Sequence, residues 1–193
     1  MRQKEYDSII DGKLVPFSAH GDASDDNANK GRRVKEVRAF IGFSPRLRKS
    51  LDIGPPNAFG RALGILDNTT GDLNHGVNAP SKDYELILFS EIIEHLGNPL
   101  MALEQCRDLL VKGGILIVST PLCLWHSGIS YQSPHHLTEY RADRFRRLLE
   151  FAGFEIVKYK RINIWDRSFA FRGVRPMLRV LFHRSQLWMA RKP

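Results

Sequence analysis

The side chains best placed to do chemistry follow three apolar runs. Leu51-Asp52-Ile53-Gly54 ends on an acid and a glycine, the run Glu85 to Phe89 leads into Ser90 and Glu91, and Ile115 to Ser119 leads into Thr120, Pro121 and a loop holding His135 and His136. A glycine at a strand-to-helix turn lets backbone approach a ligand, and a carboxylate beside it accepts from hydroxyl or amino groups. LDIGPPNAF lacks the G-x-G-x-x-G spacing of a dinucleotide site, which argues against an NAD or FAD enzyme. Without a ligand the same residues are simply a tight turn. His135 and His136 titrate near neutral pH, so either can take a proton, although histidines in such loops are commonly structural. His95 in EIIEHL reads as capping or orienting its helix. Cys123 has no activating neighbour in sequence and reads as a small buried thiol.

These residues need elements to hold them. Val34, Val37, Phe40 and Ile41 recur at helical spacing and stop near Gly42 and Pro45, after a turn-rich stretch, Gly21 to Gly31, that reads as a loop. Leu51 to Gly54 is a short strand and turn, and Asn57 caps a helix through Phe59, Ala62, Leu63 and Leu66. Glu85 to Ser90 suits a strand covered on both faces. Asn98 and Pro99 open a helix striped by Leu100, Leu103, Cys106 and Leu110, with Gly113 as its stop. Ile115 to Ser119 is a buried strand, Asp143 to Ala152 a helix ended by Gly153, and Phe154 to Tyr159 starts another strand. Val174, Met177, Leu178, Leu181 and Phe182 form an amphipathic helix pattern, and Gln186 to Ala190 a closing strand. Alternating strands and helices predict an α/β fold with a parallel sheet and right-handed crossovers.

The 193 residues suit one domain, 1–193, with an N-terminal helical cap over 1–45 and an α/β core over 46–193. Gly113 to Thr138 holds no charged residue, but its prolines, histidines and serines exclude a membrane span. No secretory signal is visible. Two cysteines make neither a disulfide framework nor a zinc site, no metal-ligating set is read, and a cytoplasmic chain with free thiols is expected. The net charge of +8 is concentrated late: from Arg141 onward there are 14 Lys and Arg against 4 acids, and before it 15 against 17. That asymmetry suits an anionic partner or surface and equally a solvated face.

The stretch DYELILFSEIIEHLGNPLMALEQCRDLLVKGGILIVSTP, followed by HHLTEY and LLEFAGFEIV, resembles the class I S-adenosylmethionine-dependent methyltransferases, in particular the branch acting on small molecules. The resemblance covers about Leu51 to Phe154, and the terminal SQLWMARKP looks like that family's antiparallel last strand. It implies a Rossmann-like, mostly parallel sheet flanked by helices. It also implies S-adenosylmethionine as cofactor, with Asp52, Gly54 and Pro56 in the first cofactor turn and Ser90 and Glu91 at the fourth strand's end. Two departures stand out. Pro56 and Ala58 replace the family's usual further glycines, and only Gly64 to Asp83 remain for what is normally a second strand, a helix and a third strand, so one crossover is shortened or missing. Within that remnant, Asp67 matches the acid that holds the ribose hydroxyls and Asp72 the acid that contacts adenine. Both also suit plain turn residues in DNTTGDLN.

Methyl transfer from a sulfonium relies on alignment in a dry pocket, and a base matters when the acceptor is a hydroxyl, which points to His135 and His136. The resemblance implies transfer to oxygen or nitrogen of a small-molecule or lipid-linked acceptor. Methylation of RNA and a non-catalytic, degenerate binding subunit are the two rival readings.

Overall fold

The computed structural model describes residues 7–10, 13–16, 27–45, 48–123, 136–162 and 185–193. Strands β1 (Asp7–Ile10) and β2 (Lys13–Pro16) pair antiparallel as a separate two-stranded sheet. Helix α1 runs Asn27–Ile41, so Asn27 to Gly31, expected in a loop, are helical. Weak local propensity is overridden here by tertiary packing, because Val37, Phe40 and Ile41 are buried against the main sheet. Of the expected loop, Gly21 to Asp26 lie outside the described residues, as does the amphipathic stretch Val174 to Phe182 with Arg175 and Arg179.

The main sheet has the order β4-β3-β5-β6-β8-β7. Its strands are β3 (Ser50–Asp52), β4 (Asp67–Asn68), β5 (Tyr84–Ser90), β6 (Leu110–Pro121), β7 (Glu155–Ile162) and β8 (Ser185–Arg191). β4, β3, β5 and β6 are mutually parallel, whereas β8 runs antiparallel to both β6 and β7. The sheet is therefore Rossmann-like with an antiparallel last strand. Between β3 and β5 the chain makes only helix α2 (Ala58–Leu63) and the two-residue β4, followed by an antiparallel bridge from Thr70 to Asn78. This is the shortened crossover.

Alternation along β5 sends Ile87 and Phe89 to one face and Leu86 and Leu88 to the other. On the first face they meet α3 (Pro99–Leu109) through Ala102, Leu103 and Cys106, and α4 (Ala142–Phe151) through Phe145 and Leu149. On the second they meet α1 and Leu63 of α2. Each leucine, isoleucine, valine or phenylalanine among these contributes roughly 1.5 to 3 kcal/mol of burial, which fastens the site-bearing strands to the helices on both faces.

Gly113 does not stop α3 as the sequence suggests. The helix ends at Leu109, and Leu110 pairs directly with Tyr84, so Val111 to Gly114 form a bulge before Ile115 pairs with Leu86. A Cβ at Gly114 would lie 2.8 Å from the Val111 carbonyl oxygen and 3.1 Å from that of Tyr84, so the bulge itself demands glycine. Gly113 lies in this bulge at φ 77°, and its N–H donates to the Lys192 carbonyl at 2.9 Å.

Candidate functional site

The carboxyl edge of the parallel strands is where α/β sheets bind ligands, and the predicted residues are distributed around it. Asp52 ends β3 with only 2% of its surface exposed. Its Oδ2 accepts a hydrogen bond from Asn57 Nδ2 at 2.8 Å, while Asn57 Oδ1 caps α2 by accepting from the Gly60 N–H at 2.9 Å. One asparagine thus joins the acid to the helix start. Gly60 packs so closely that a Cβ there would stand 2.2 Å from Asp52 Oδ2. Gly54 follows at φ 108°, its N–H donating to the buried Thr69 hydroxyl at 2.7 Å, and a Cβ on it would meet Ile92 Cδ1 at 2.8 Å. Pro56 is exposed.

β5 delivers the second group. Ser90 Oγ lies 2.9 Å from Ser119 Oγ of β6, and the Glu91 N–H donates to the Ser119 carbonyl at 2.9 Å. Glu91 takes φ 53°, a conformation that non-glycine residues rarely hold and that clusters at binding sites. Because Ile92 packs against Gly54, the β3 and β5 turns are direct neighbours.

In the third group, sequence reasoning names His95, Thr120 and His136 but misses Glu94 and the contacts that join them. Glu94 and His95 lie in a 3-10 turn, Ile93–His95, that continues from β5. His95 ends this turn, and α3 starts separately from its cap Asn98, whose side chain accepts from the Met101 N–H at 3.2 Å as its position predicts. Glu94 is 1% exposed, and its Oε2 accepts from the Thr120 hydroxyl at the end of β6 at 3.1 Å. Its carbonyl accepts from the Leu137 and Thr138 N–H groups at 2.9 and 3.1 Å, which lays the residues after the uncharged loop across the β5 tip. His136 thereby arrives beside His95, with ring centroids 5.0 Å apart in an edge-to-face arrangement, and its Nδ1 lies 2.9 Å from Glu139 Oε1. His135 and the loop from Leu124 lie outside the described residues.

Gln186 of β8 braces this corner from behind. Its side-chain amide donates to the Pro121 carbonyl at 3.2 Å and the Tyr140 carbonyl at 2.8 Å, and its oxygen accepts from the Trp188 indole at 3.0 Å. Burial and the nearby Glu94 charge push the Tyr140 phenol up to about 12.

The two remaining acids diverge. Asp67 lies level with Leu51 in the ladder, one step short of the carboxyl edge, and its carboxylate accepts from the Tyr84 hydroxyl at 3.0 Å. Burial and then this bond push the Tyr84 phenol up to about 12. The side chain expected at the ribose is thus joined to the start of β5. Asp72 accepts from the Asn74 N–H at 2.9 Å, and Asn74 Oδ1 in turn accepts from the Gly97 N–H at 2.6 Å, tying this loop to the turn just after His95. An open cleft of about 360 Å³ lies on the α3 side of the loop, lined by Asp72, His75, Val77 and Gln105 among others, and none of Gly54, Glu91 or His136 reaches it.

Several late basic side chains are paired within the chain, including Arg146 with Glu150 at 2.8 Å, Arg191 with Glu155 at 2.5 Å and Lys160 with Glu36 at 2.7 Å. The basic excess is therefore partly solvated ion pairs. Among the described residues no helix is long and apolar enough to cross a membrane.

The Asp52–Gly54 turn and the Ser90–Glu91 turn thus lie side by side at the carboxyl edge, the place where such sheets bind ligands. The family described as "Methyltransferase domain" matches residues 24–159, well over half of the chain. A probable S-adenosylmethionine-dependent methyltransferase of Mycolicibacterium smegmatis is 32% identical over 91 residues, covering 44% of this chain and 35% of that protein. A ubiquinone biosynthesis O-methyltransferase of Cereibacter sphaeroides is 38% identical over 53 residues, covering 28% of this chain and 20% of that protein. The matched stretches thus span only about a third and a fifth of these relatives. The crystal structure of an S-adenosylmethionine-dependent methyltransferase from Mesorhizobium loti superposes with a TM-score of 0.61 at 12% identity, covering 86% of this chain and 99% of that one. At that identity the likeness speaks for the fold.

Proposed function

The chain belongs to the class I S-adenosylmethionine-dependent methyltransferases, and from that premise we propose that it transfers a methyl group to an oxygen of a small-molecule or lipid-linked acceptor. The observation carrying this reading is the His136–Glu139 pair at 2.9 Å, beside the β5 and β6 tips whose other side faces the Asp52–Gly54 turn. S-adenosylmethionine supplies an already activated methyl group. Asp52 keeps the first turn in shape through Asn57, and Glu91 and Ser90 present polar groups at the edge.

An ionised Glu139 can only accept, so His136 donates from Nδ1 and keeps Nε2 as a proton acceptor. That tautomer is the one needed to take a hydroxyl proton as oxygen becomes the nucleophile. The O-methyltransferase name of the Cereibacter sphaeroides relative favours oxygen over nitrogen. Two free cysteines, Cys106 buried and Cys123 half-buried, favour a cytoplasmic setting. Tritiated methyl transfer from S-adenosylmethionine to a panel of phenolic and lipid-linked hydroxyl acceptors tests the proposal. His136→Ala should lower kcat about 10²- to 10⁴-fold while leaving cofactor affinity nearly unchanged. Transfer that survives His136→Ala undiminished would reject the assigned base.

A further inference from the structure

We propose that Glu94, His95 and His136 form a binding site for a first-row divalent transition metal, zinc foremost, at the acceptor side of the carboxyl edge. One ligand atom from each, a carboxylate oxygen and two imidazole nitrogens, lies within 4.8 Å of the other two. Glu94 Oε1 and His95 Nε2 are 4.0 Å apart. Ligand atoms around zinc, at bonds of about 2.0 to 2.2 Å, sit roughly 3.3 to 3.5 Å from one another, so side-chain movements of about 1 Å close the site. Two imidazoles and one carboxylate select zinc-class ions over magnesium or calcium, which prefer all-oxygen surroundings.

The groups behind the three ligands support the assignment. A histidine that binds metal through one nitrogen characteristically gives its other N–H to a carboxylate, and His136 Nδ1 is 2.9 Å from Glu139 Oε1. Glu94 has the matching arrangement: Oε2 is held by the Thr120 hydroxyl at 3.1 Å, which leaves Oε1 on the side toward His95. The Leu137 and Thr138 N–H groups, bonded to the Glu94 carbonyl, fix the spacing of the two ligand-bearing segments. Glu94 is almost wholly buried, and the two histidines are partly buried.

Three protein ligands leave one position open, as in catalytic rather than structural zinc sites. An acceptor hydroxyl bound there loses its O–H proton to water more readily, keeping the electron pair on oxygen for the methyl group. The inference rests on reading this edge as the acceptor side, and it refines that reading: with the ion bound, His136 acts as a ligand and the ion takes over the acidifying role. Sequence reading found no metal set because its histidines are separated by the whole of α3 and β6.

The test is calorimetric titration of the chelator-stripped full chain with Zn²⁺, with Co²⁺ visible spectra as a second readout. One Zn²⁺ per chain is expected, with affinity falling more than 100-fold in His95→Ala and in His136→Ala and about 10- to 100-fold in Glu139→Gln. If either histidine variant fails to fold by circular dichroism, Glu139→Gln and the Co²⁺ spectrum of the unaltered chain decide. Absence of Zn²⁺ binding, or affinity unchanged across the variants because the ion sits on Cys123 or His75, overturns the proposal. S-adenosylmethionine binding is measured on the same samples. Cofactor binding without zinc binding would sink the metal site and spare the proposed function, and the reverse would do the opposite.

Discussion

Replacing Gly60 by alanine should damage the protein at a place where helix propensity alone says it should help. Alanine inside a helix is favoured over glycine by about 1 kcal/mol. Here the new Cβ would stand 2.2 Å from Asp52 Oδ2, more than 1 Å inside an ordinary contact, and 3.1 Å from its Cγ. Either α2 moves off β3 or the carboxylate rotates, and both outcomes strain or break the Asp52–Asn57 bond at 2.8 Å. Overpacking of this kind costs roughly 1 to 3 kcal/mol. Loss of a hydrogen bond to a charged group adds about 1.5 to 3. Set against the propensity gain, the net cost is about 1.5 to 5 kcal/mol, a fall of roughly 0.8 to 2.5 M in the urea midpoint at an m-value near 2 kcal/mol per M. Cofactor affinity should fall at least about tenfold, since the same turn carries Gly54. Gly42→Ala is the control: nothing lies within 4 Å of its Cβ, and only the φ of 77° opposes it, at roughly 1 to 2 kcal/mol. Urea unfolding and calorimetric titration with S-adenosylmethionine measure both quantities. A Gly60→Ala chain as stable as the original, binding cofactor equally well, would refute the claim that helix–acid contact shapes this turn.

Three further outcomes follow from the geometry. Tyr84 and Tyr140 keep their protons to about pH 12 in the folded chain against an ordinary 10, so their contribution to stability is complete below pH 10 and is lost between 10 and 12; Tyr84→Phe should flatten that alkaline fall, read by urea midpoints across the range. Gln186→Leu strips the Pro121 and Tyr140 carbonyls of a buried donor and should cost about 2 to 4 kcal/mol, with kcat reduced more than cofactor affinity because the His136 corner loosens; equal loss of both would contradict the bracing role. Asp67→Ala should cost about 1.5 to 3 kcal/mol because the Tyr84 hydroxyl loses its acceptor, and an unchanged urea midpoint would contradict that link between β4 and β5.

Much of the sheet is readable from pattern alone. Tyr84 to Ser90 and Ile115 to Ser119 are apolar on both faces, which only a covered parallel strand accommodates, and Asn57 and Asn98 cap their helices as their positions suggest. The errors lie where long-range contacts override local signals. Gly113 looks like a helix stop but belongs to a bulge set by pairing of Leu110 with Tyr84, and the turn formers from Asn27 to Gly31 are helical because the rest of α1 packs on the sheet. The site divides similarly. Asp52, Gly54, Ser90 and Glu91 could be named because they directly follow apolar runs. Glu94 and Thr120 are 26 positions apart, and Gln186 and Tyr140 are 46 apart, so only strand order brings them together. Their one sequence signal is a polar residue at the very tip of a buried strand.

The central claim is that the turns after β3 and β5 hold S-adenosylmethionine beside the His136 corner. Isothermal titration of the full chain with S-adenosylmethionine tests it most directly. The account requires saturable one-to-one binding that is weakened by Asp52→Ala and Gly54→Ala and retained in His136→Ala. No detectable heat of binding at millimolar cofactor, from a chain shown by circular dichroism to be folded, would contradict it.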